Sequence, residues 1–159
     1  MNEPQPLPLW FIPLFPLLFA GMWLGICALL ASIGGWHGLG ARFREPPNAP
    51  RPTARAFWTT SLRMSAGLPV DYRSCVILRL GDAGIHLRTW ILFRFLHPPL
   101  LIPWAEVESC TPGRHFLRRA VMVRLRGTDT SIRIYGGPGA AVEEGWRRYQ
   151  AWAARSGAA

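Results

Sequence analysis

The chain contains no lysine. All eighteen of its basic residues are arginines, and none occurs before Arg42. Between Pro4 and Ala41 there is no acidic or basic side chain of any kind. These absences divide the 159 residues into two chemistries. The first part carries −1 from Glu3, while the remainder sets eighteen arginines against eight acids, a formal +10. A lysine-free composition reads as the bias of a GC-rich genome rather than selection for guanidinium chemistry. Cysteine is scarce as well. Cys27, Cys75 and Cys110 are odd in number and form no C-x-x-C pair, which argues against a disulfide framework and favours a reducing compartment.

Catalytic motifs are also missing. No nucleophile elbow, Walker loop or H-E-x-x-H is present. Gly136 to Val142, GGPGAAV, imitates a dinucleotide fingerprint, but Val142 stands where the third small residue belongs and no βαβ unit follows. It reads as a glycine-rich lead into a helix. His86, His97 and His115 have no carboxylates or thiols at ligand spacing, so they read as structural or solvated. Cys75 and Cys110 read as small buried hydrophobes. No enzyme activity, metal or cofactor is expected.

What is present begins with an apolar run. Leu9 to Ile33 holds twenty-five uncharged residues, enough to cross a bilayer core, which takes about 20 in a helix. Pro13 and Pro16 suit a first turn, and the proline-free stretch from Leu17 to Gly35 is the most regular part. A cleaved signal would want a basic start, whereas MNEPQP has an acid and no base. A retained single-pass anchor over 9–35 is therefore expected, after a short non-cytoplasmic tail over 1–8. Arg42, Arg44, Arg51 and Arg55 follow the span, so the positive-inside rule places the C-terminal part in the cytoplasm. Gly21 and Gly25 form a G-x-x-x-G, a weak dimer pattern that reads as incidental and leaves the oligomeric state open.

Residues 36–54 read as a juxtamembrane segment and proline-rich linker. Trp36, Leu39 and Phe43 share one helical face beside Arg42 and Arg44, which suits an interfacial helix with Trp36 at headgroup level. The following PPNAPRP reads as a stiff spacer.

From residue 55 the hydrophobic period becomes two. Strands are expected over Ala56–Met64, Ser74–Leu80, Ile85–Ile91, Leu100–Cys110, Ala120–Arg126 and Ser131–Tyr135. Two hairpin turns, Gly-Asp-Ala-Gly and Gly-Thr-Asp-Thr, join them in pairs. Val76, Leu78, Leu80, Ile85 and Leu87 would face inward with Val121, Val123, Leu125, Ile132 and Ile134; Arg79, His86 and Arg88 would face outward. Pro138 to Arg155 reads as an amphipathic helix with Val142, Trp146, Tyr149 and Ala153 on its stripe and Glu143–Arg147 and Glu144–Arg148 at i,i+4. The fold class is α+β: a strongly bent antiparallel sheet or barrel over 55–159, capped by a C-terminal helix.

The proline-fenced strand LLIPWAEVES resembles the I-P-W-x-[DE]-[IV] strand of bacterial pleckstrin-homology-like (PH-like) domains. The longer stretch from Tyr72 and Cys75 through GDAGIHL to HPPLLIPWAEV is similar to a set of single-pass bacterial membrane proteins in which a helix ending in Gly-Trp precedes such a domain. The resemblance implies that Pro103 turns the chain into the strand, Trp104 packs, and Glu106 ends the edge near a loop. It implies no activity.

Two features bear on function. The hairpin is expected to oppose Arg124 to Arg133, with Arg79, Arg88 and Arg126 on outward faces. Opposed like charges cost up to about 1 kcal/mol, which a bound anion such as a lipid headgroup would relieve. The apolar connection from Trp90 to Leu101, with Phe93 and Phe95, is suited either to the bilayer interface or to the core. The expected function is a non-enzymatic, membrane-anchored module at the inner (cytoplasmic) membrane of a bacterium, binding anionic lipid or a protein partner. A regulatory or assembly subunit of a larger membrane complex is the alternative. Anchoring explains the excess arginine, so no nucleic-acid partner is expected.

Overall fold

A computed structural model describes residues 11–50, 52, 56–65 and 69–157. The expected tail over 1–8, the first residues of the apolar run, and Arg51 and Arg55 lie outside the described residues. The elements run in chain order as α1 (Phe11–Ile33), α2 (Trp36–Phe43), β1 (Ala56–Ser65), β2 (Pro69–Leu80), β3 (Gly84–Thr89), β4 (Leu100–Pro103), β5 (Val107–His115), β6 (Arg118–Leu125), β7 (Ser131–Tyr135) and α3 (Gly137–Ser156). Its architecture is α+β, with an N-terminal apolar helix, a curled antiparallel half-barrel and a C-terminal helix.

All seven strands form one sheet in the order β4-β3-β2-β1-β7-β6-β5. The strands β4 and β5 are neighbours in sequence yet lie at opposite edges. Laid flat, seven strands would separate the edges by roughly 30 Å, whereas Trp104–Glu106 can bridge only about 10 Å. The sheet must therefore curl. That is why prolines fence the short apolar strand: Pro103 ends β4 and starts a one-turn 3₁₀ segment that crosses the gap. The crossing is pinned at both sides. Trp104 donates from its backbone N–H to the Ala83 carbonyl and from Nε1 to Gly81 O, while the Arg126 N–H donates to Glu106 O.

The inward face is as expected, with Val76, Leu78, Leu80, Ile85, Leu87, Val121, Val123, Leu125, Ile132 and Ile134 all buried, but His86, expected outward, is buried too, against Glu45. The helix α3 covers the open core with Val142, Trp146 and Ala153, and Tyr149 half-buried. Its Gly145 gives room to the Trp104 indole, which a Cβ there would approach to 2.8 Å.

Several boundaries differ from the expectation. The strand β2 begins at Pro69, five residues early, and bends at Ser74, whose φ is +53°. The strand β3 stops at Thr89, and Leu100–Cys110 divides at the crossing. In the last hairpin Arg124 pairs with Ser131 and Arg133 with Met122, so Arg124 and Arg133 are not opposed. The strand β6 ends at Leu125 because the Arg126 N–H is drawn away to Glu106. The two-residue offset preserves every side chain's face, since the sheet period is two.

The segment 36–54 does not act as a detached linker where it is described. Trp36, Leu39 and Phe43 of α2 are buried in the same core as the sheet. Arg44 forms a bridge with Leu100, and the Glu45 N–H donates to Pro99 O, so the chain continues β4's edge before turning at Pro46–Ala49.

Candidate functional site

The helix α1 presents two faces. Trp23, Cys27, Leu30, Ala31 and Gly34 recur at near-helical spacing and lie toward the folded domain: Cys27 and Ala31 are buried, and Leu30 packs on the core. Gly34 lies so close to Val70 and Tyr72 that a Cβ would meet them at 3.1 and 2.9 Å. The remaining surface carries exposed Phe15, Leu17, Leu18, Phe19 and Met22. Pro13–Ile33 is long and apolar enough to cross a membrane. Gly21 and Gly25 border open space.

The junction below this helix is a buried aromatic cluster. Trp36, expected at headgroup level, is fully enclosed; its Nε1 donates to Pro98 O, and its ring packs on Tyr72 and His97 at 5.3 Å. The Tyr72 hydroxyl lies 3.2 Å from Leu30 O and 3.3 Å from His97 Nε2. The other His97 nitrogen, Nδ1, donates to Phe95 O at 3.0 Å. Burial lowers the His97 pKa from its ordinary value, which favours the neutral ring.

The connection after β3 emerges beside α1. Trp90, Ile91, Leu92, Phe95 and Leu96 are exposed, and Phe93 is half-buried. They do not complete the core. Phe93 meets the Trp23 ring at 5.2 Å, and Trp23 Nε1 donates to Leu92 O at 3.0 Å.

The five outward arginines do not form one surface. Arg79 and Arg88 line a recess of about 450 Å³ between the sheet and the proline-rich segment, with His86, Glu45 and Pro52. Arg88 is already engaged, since its Nη2 donates to Glu45 Oε2 at 2.7 Å while His86 Nδ1 donates to Glu45 Oε1 at 2.9 Å. Burial alone would raise the Glu45 pKa, but these hydrogen bonds outweigh it and the net shift is downward. Arg124 and Arg133 line a separate recess of about 370 Å³ with Ser109, Thr111, Arg114 and His115. Across the sheet Arg133 faces Arg63, and Arg63 Nε donates to Asp71 Oδ1 at 2.6 Å. Arg126 is exposed in the turn.

Arg42, expected beside the membrane, instead secures the edge closure. It donates from Nη2 to Glu106 Oε2 at 2.6 Å and from Nη1 to Arg126 O at 2.8 Å. Arg44 stays exposed.

Sequence reasoning missed the β5–β6 hairpin tip. Phe116 and Leu117 are 86% and 95% exposed and both adopt positive φ, +46° and +63°. Asn-Gly is the usual choice for such a turn, so an apolar pair there is costly in backbone strain and in exposed area. The available signal was an apolar pair flanked by arginines in Arg114–Arg119. An apolar groove of about 660 Å³ between α3 and the edge crossing, lined by Trp104, Tyr149 and Trp152, was also missed.

The thiols have little nucleophilic character at neutral pH. Burial raises the Cys75 pKa, and burial followed by the Glu143 charge pushes Cys110 up to about 11. Among the described residues no group of three or more His, Cys, Asp or Glu side chains gathers as a metal site. No known protein-family model matches the chain, and no characterised protein shows significant sequence similarity to it.

Proposed function

We propose that this chain is a non-enzymatic, membrane-anchored interaction module. In this reading α1 crosses the inner membrane of a bacterium with its N-terminus outside, and a PH-like domain is held on the cytoplasmic leaflet to bind anionic lipid. One observation carries the reading. The apolar helix passes directly into the folded core through Gly34 and Trp36, so the domain is fixed to its anchor rather than hung from it. The two antiparallel meanders closed by a C-terminal helix support the PH-like assignment. Arg114, Arg124 and Arg133 around one polar recess support an anionic ligand, since each arginine near an anionic leaflet contributes about 1 kcal/mol.

The test uses the whole chain in a neutral detergent, with phosphatidylglycerol or phosphatidylcholine added, and counts retained lipids by native mass spectrometry. The parent should retain phosphatidylglycerol preferentially. Arg124→Ala with Arg133→Ala should lower that retention about thirtyfold, as loss of two such contributions implies, without lowering Tm. Equal retention of both lipids by the parent would overturn the lipid reading.

A second reading, a regulatory or assembly subunit of a larger membrane complex, draws on the exposed Phe116–Leu117 tip. An apolar pair held in strained backbone and left uncovered suits insertion into a partner's pocket.

A further inference from the structure

We infer that the Trp90–Leu96 connection is a wedge that enters the hydrocarbon of the leaflet on the domain's side and is solvated there by lipid acyl chains. This rests on α1 being a membrane span. The argument begins with depth. Trp23, which touches the connection, lies ten residues above Ile33, about 15 Å along a helix. The connection therefore meets α1 near the middle of its apolar run, while the hydrocarbon of one leaflet is also about 15 Å thick. If α1 spans the bilayer, its neighbour cannot remain in water.

Surface chemistry agrees with that depth. Ile91 is 80% exposed and Leu92 67%, and Trp90, Phe95 and Leu96 extend the same apolar surface. In water this surface would be unfavourable, at about 25 cal/mol per Å². Arg94 is the one charge in the segment, and its long side chain can reach back to the headgroups.

The backbone supplies independent support. Hydrocarbon offers no hydrogen-bond partners, so a chain within it must satisfy its own polar groups. Here the carbonyls of residues 90, 91 and 94 accept from the N–H groups of Phe93, Arg94 and His97. The Leu92 carbonyl accepts from Trp23 Nε1, and that of Phe95 from His97 Nδ1. Five of the six carbonyls from Trp90 to Phe95 are thus met within the protein, while the N–H groups of Ile91, Leu92, Phe95 and Leu96 have no acceptor among the described residues. The Trp23 indole N–H, which would otherwise lie unpaired among lipid tails, is satisfied by the same contact.

The test places a nitroxide at Leu92→Cys, and separately at Ile91→Cys, in the whole chain reconstituted in nanodiscs. Cys27, Cys75 and Cys110 are first replaced by alanine, and each labelled protein is required to melt like its unlabelled parent. Labels at Leu18→Cys on α1 and Asp129→Cys in the β6–β7 turn provide the lipid and water references. Collision with oxygen and with a water-soluble nickel chelate reads depth. Labels at 91 and 92 should favour oxygen and sit roughly 10–15 Å below the headgroups. A label at 92 as open to nickel as that at 129, with 18 in hydrocarbon, overturns the wedge and leaves the anchor standing. Labels at 18 and 92 both open to nickel overturn the anchor itself. Protection of 92 from both reagents would mean that protein covers the connection, which also overturns contact with acyl chains.

Discussion

At the scale of single residues, Gly84 leaves no room for a side chain. A Cβ there would lie 2.0 Å from Ile102 O and 2.8 Å from its carbonyl carbon. Backbone cannot yield as a flexible side chain does, so Gly84→Ala must part β3 from β4 where they pair at Ile85–Ile102. We expect a loss of about 2–4 kcal/mol, seen as a lower Tm of the whole chain in detergent. A parent-like melt would show that the ladder is looser than this contact requires. Glu45 is a second sensitive position, because its nearly buried carboxylate holds both Arg88 and His86. Its folded pKa lies below the ordinary value of 4.5. The folded state therefore binds fewer protons than the unfolded one as the pH falls below that value. The carboxylate's contribution is complete above about pH 4.5 and is lost as the pH falls through the lower folded pKa. Glu45→Gln should cost about 2 kcal/mol at pH 7, as loss of charge-assisted hydrogen bonds does. The gap between variant and parent should narrow on acidification. Denaturant titrations of both proteins from pH 7 to about pH 3 would check this, and a constant gap would contradict the assignment.

At the scale of elements, α2 belongs to the domain it was expected only to precede. Trp36, Leu39 and Phe43 were correctly grouped on one face, but helical spacing does not tell lipid from protein as the covering medium. The partners of Trp36 are Pro98, Tyr72 and His97, which lie far along the chain, so no local signal announces them. A fragment beginning at Thr53 would remove three buried side chains, each worth about 2–5 kcal/mol. Their sum approaches the entire stability of an ordinary domain, about 5–15 kcal/mol. That fragment should show no cooperative melt, whereas one beginning at Gly34 should retain it in mild detergent. Cooperative unfolding of the shorter fragment would place the domain boundary after α2. The strands were more legible than the helix. Alternation from Val76 to Leu87 and from Val121 to Ile134 identified the buried faces, because burial on one side leaves a period of two in the sequence. Register was less legible. The Arg124–Ser131 pairing depends on Glu106 capturing the Arg126 N–H, a contact between distant segments.

At the scale of the whole molecule, composition foretold an apolar helix followed by a curled sheet and a final helix. The candidate site was only partly legible. Arg79 and Arg88 line one recess and Arg124 and Arg133 another, because β2–β3 and β6–β7 lie on either side of β1, while Arg126 stays in the turn. The apolar connection after β3 was noticed, but only its contact with Trp23 decides between core and surface. The curled sheet also sets when this chain can fold. Its central strand β1 pairs with β2, which emerges at once, but also with β7, where Leu62 meets Ile134. A ribosome adding about 5–20 residues per second takes roughly 4–15 s to travel between those two positions. During that interval α1 is already made while β1 still has an unpaired edge. Closure then waits for α3 as well. The domain is thus completed only after the last strand is made, and until then the growing chain carries an unpaired half-sheet beside its apolar helix.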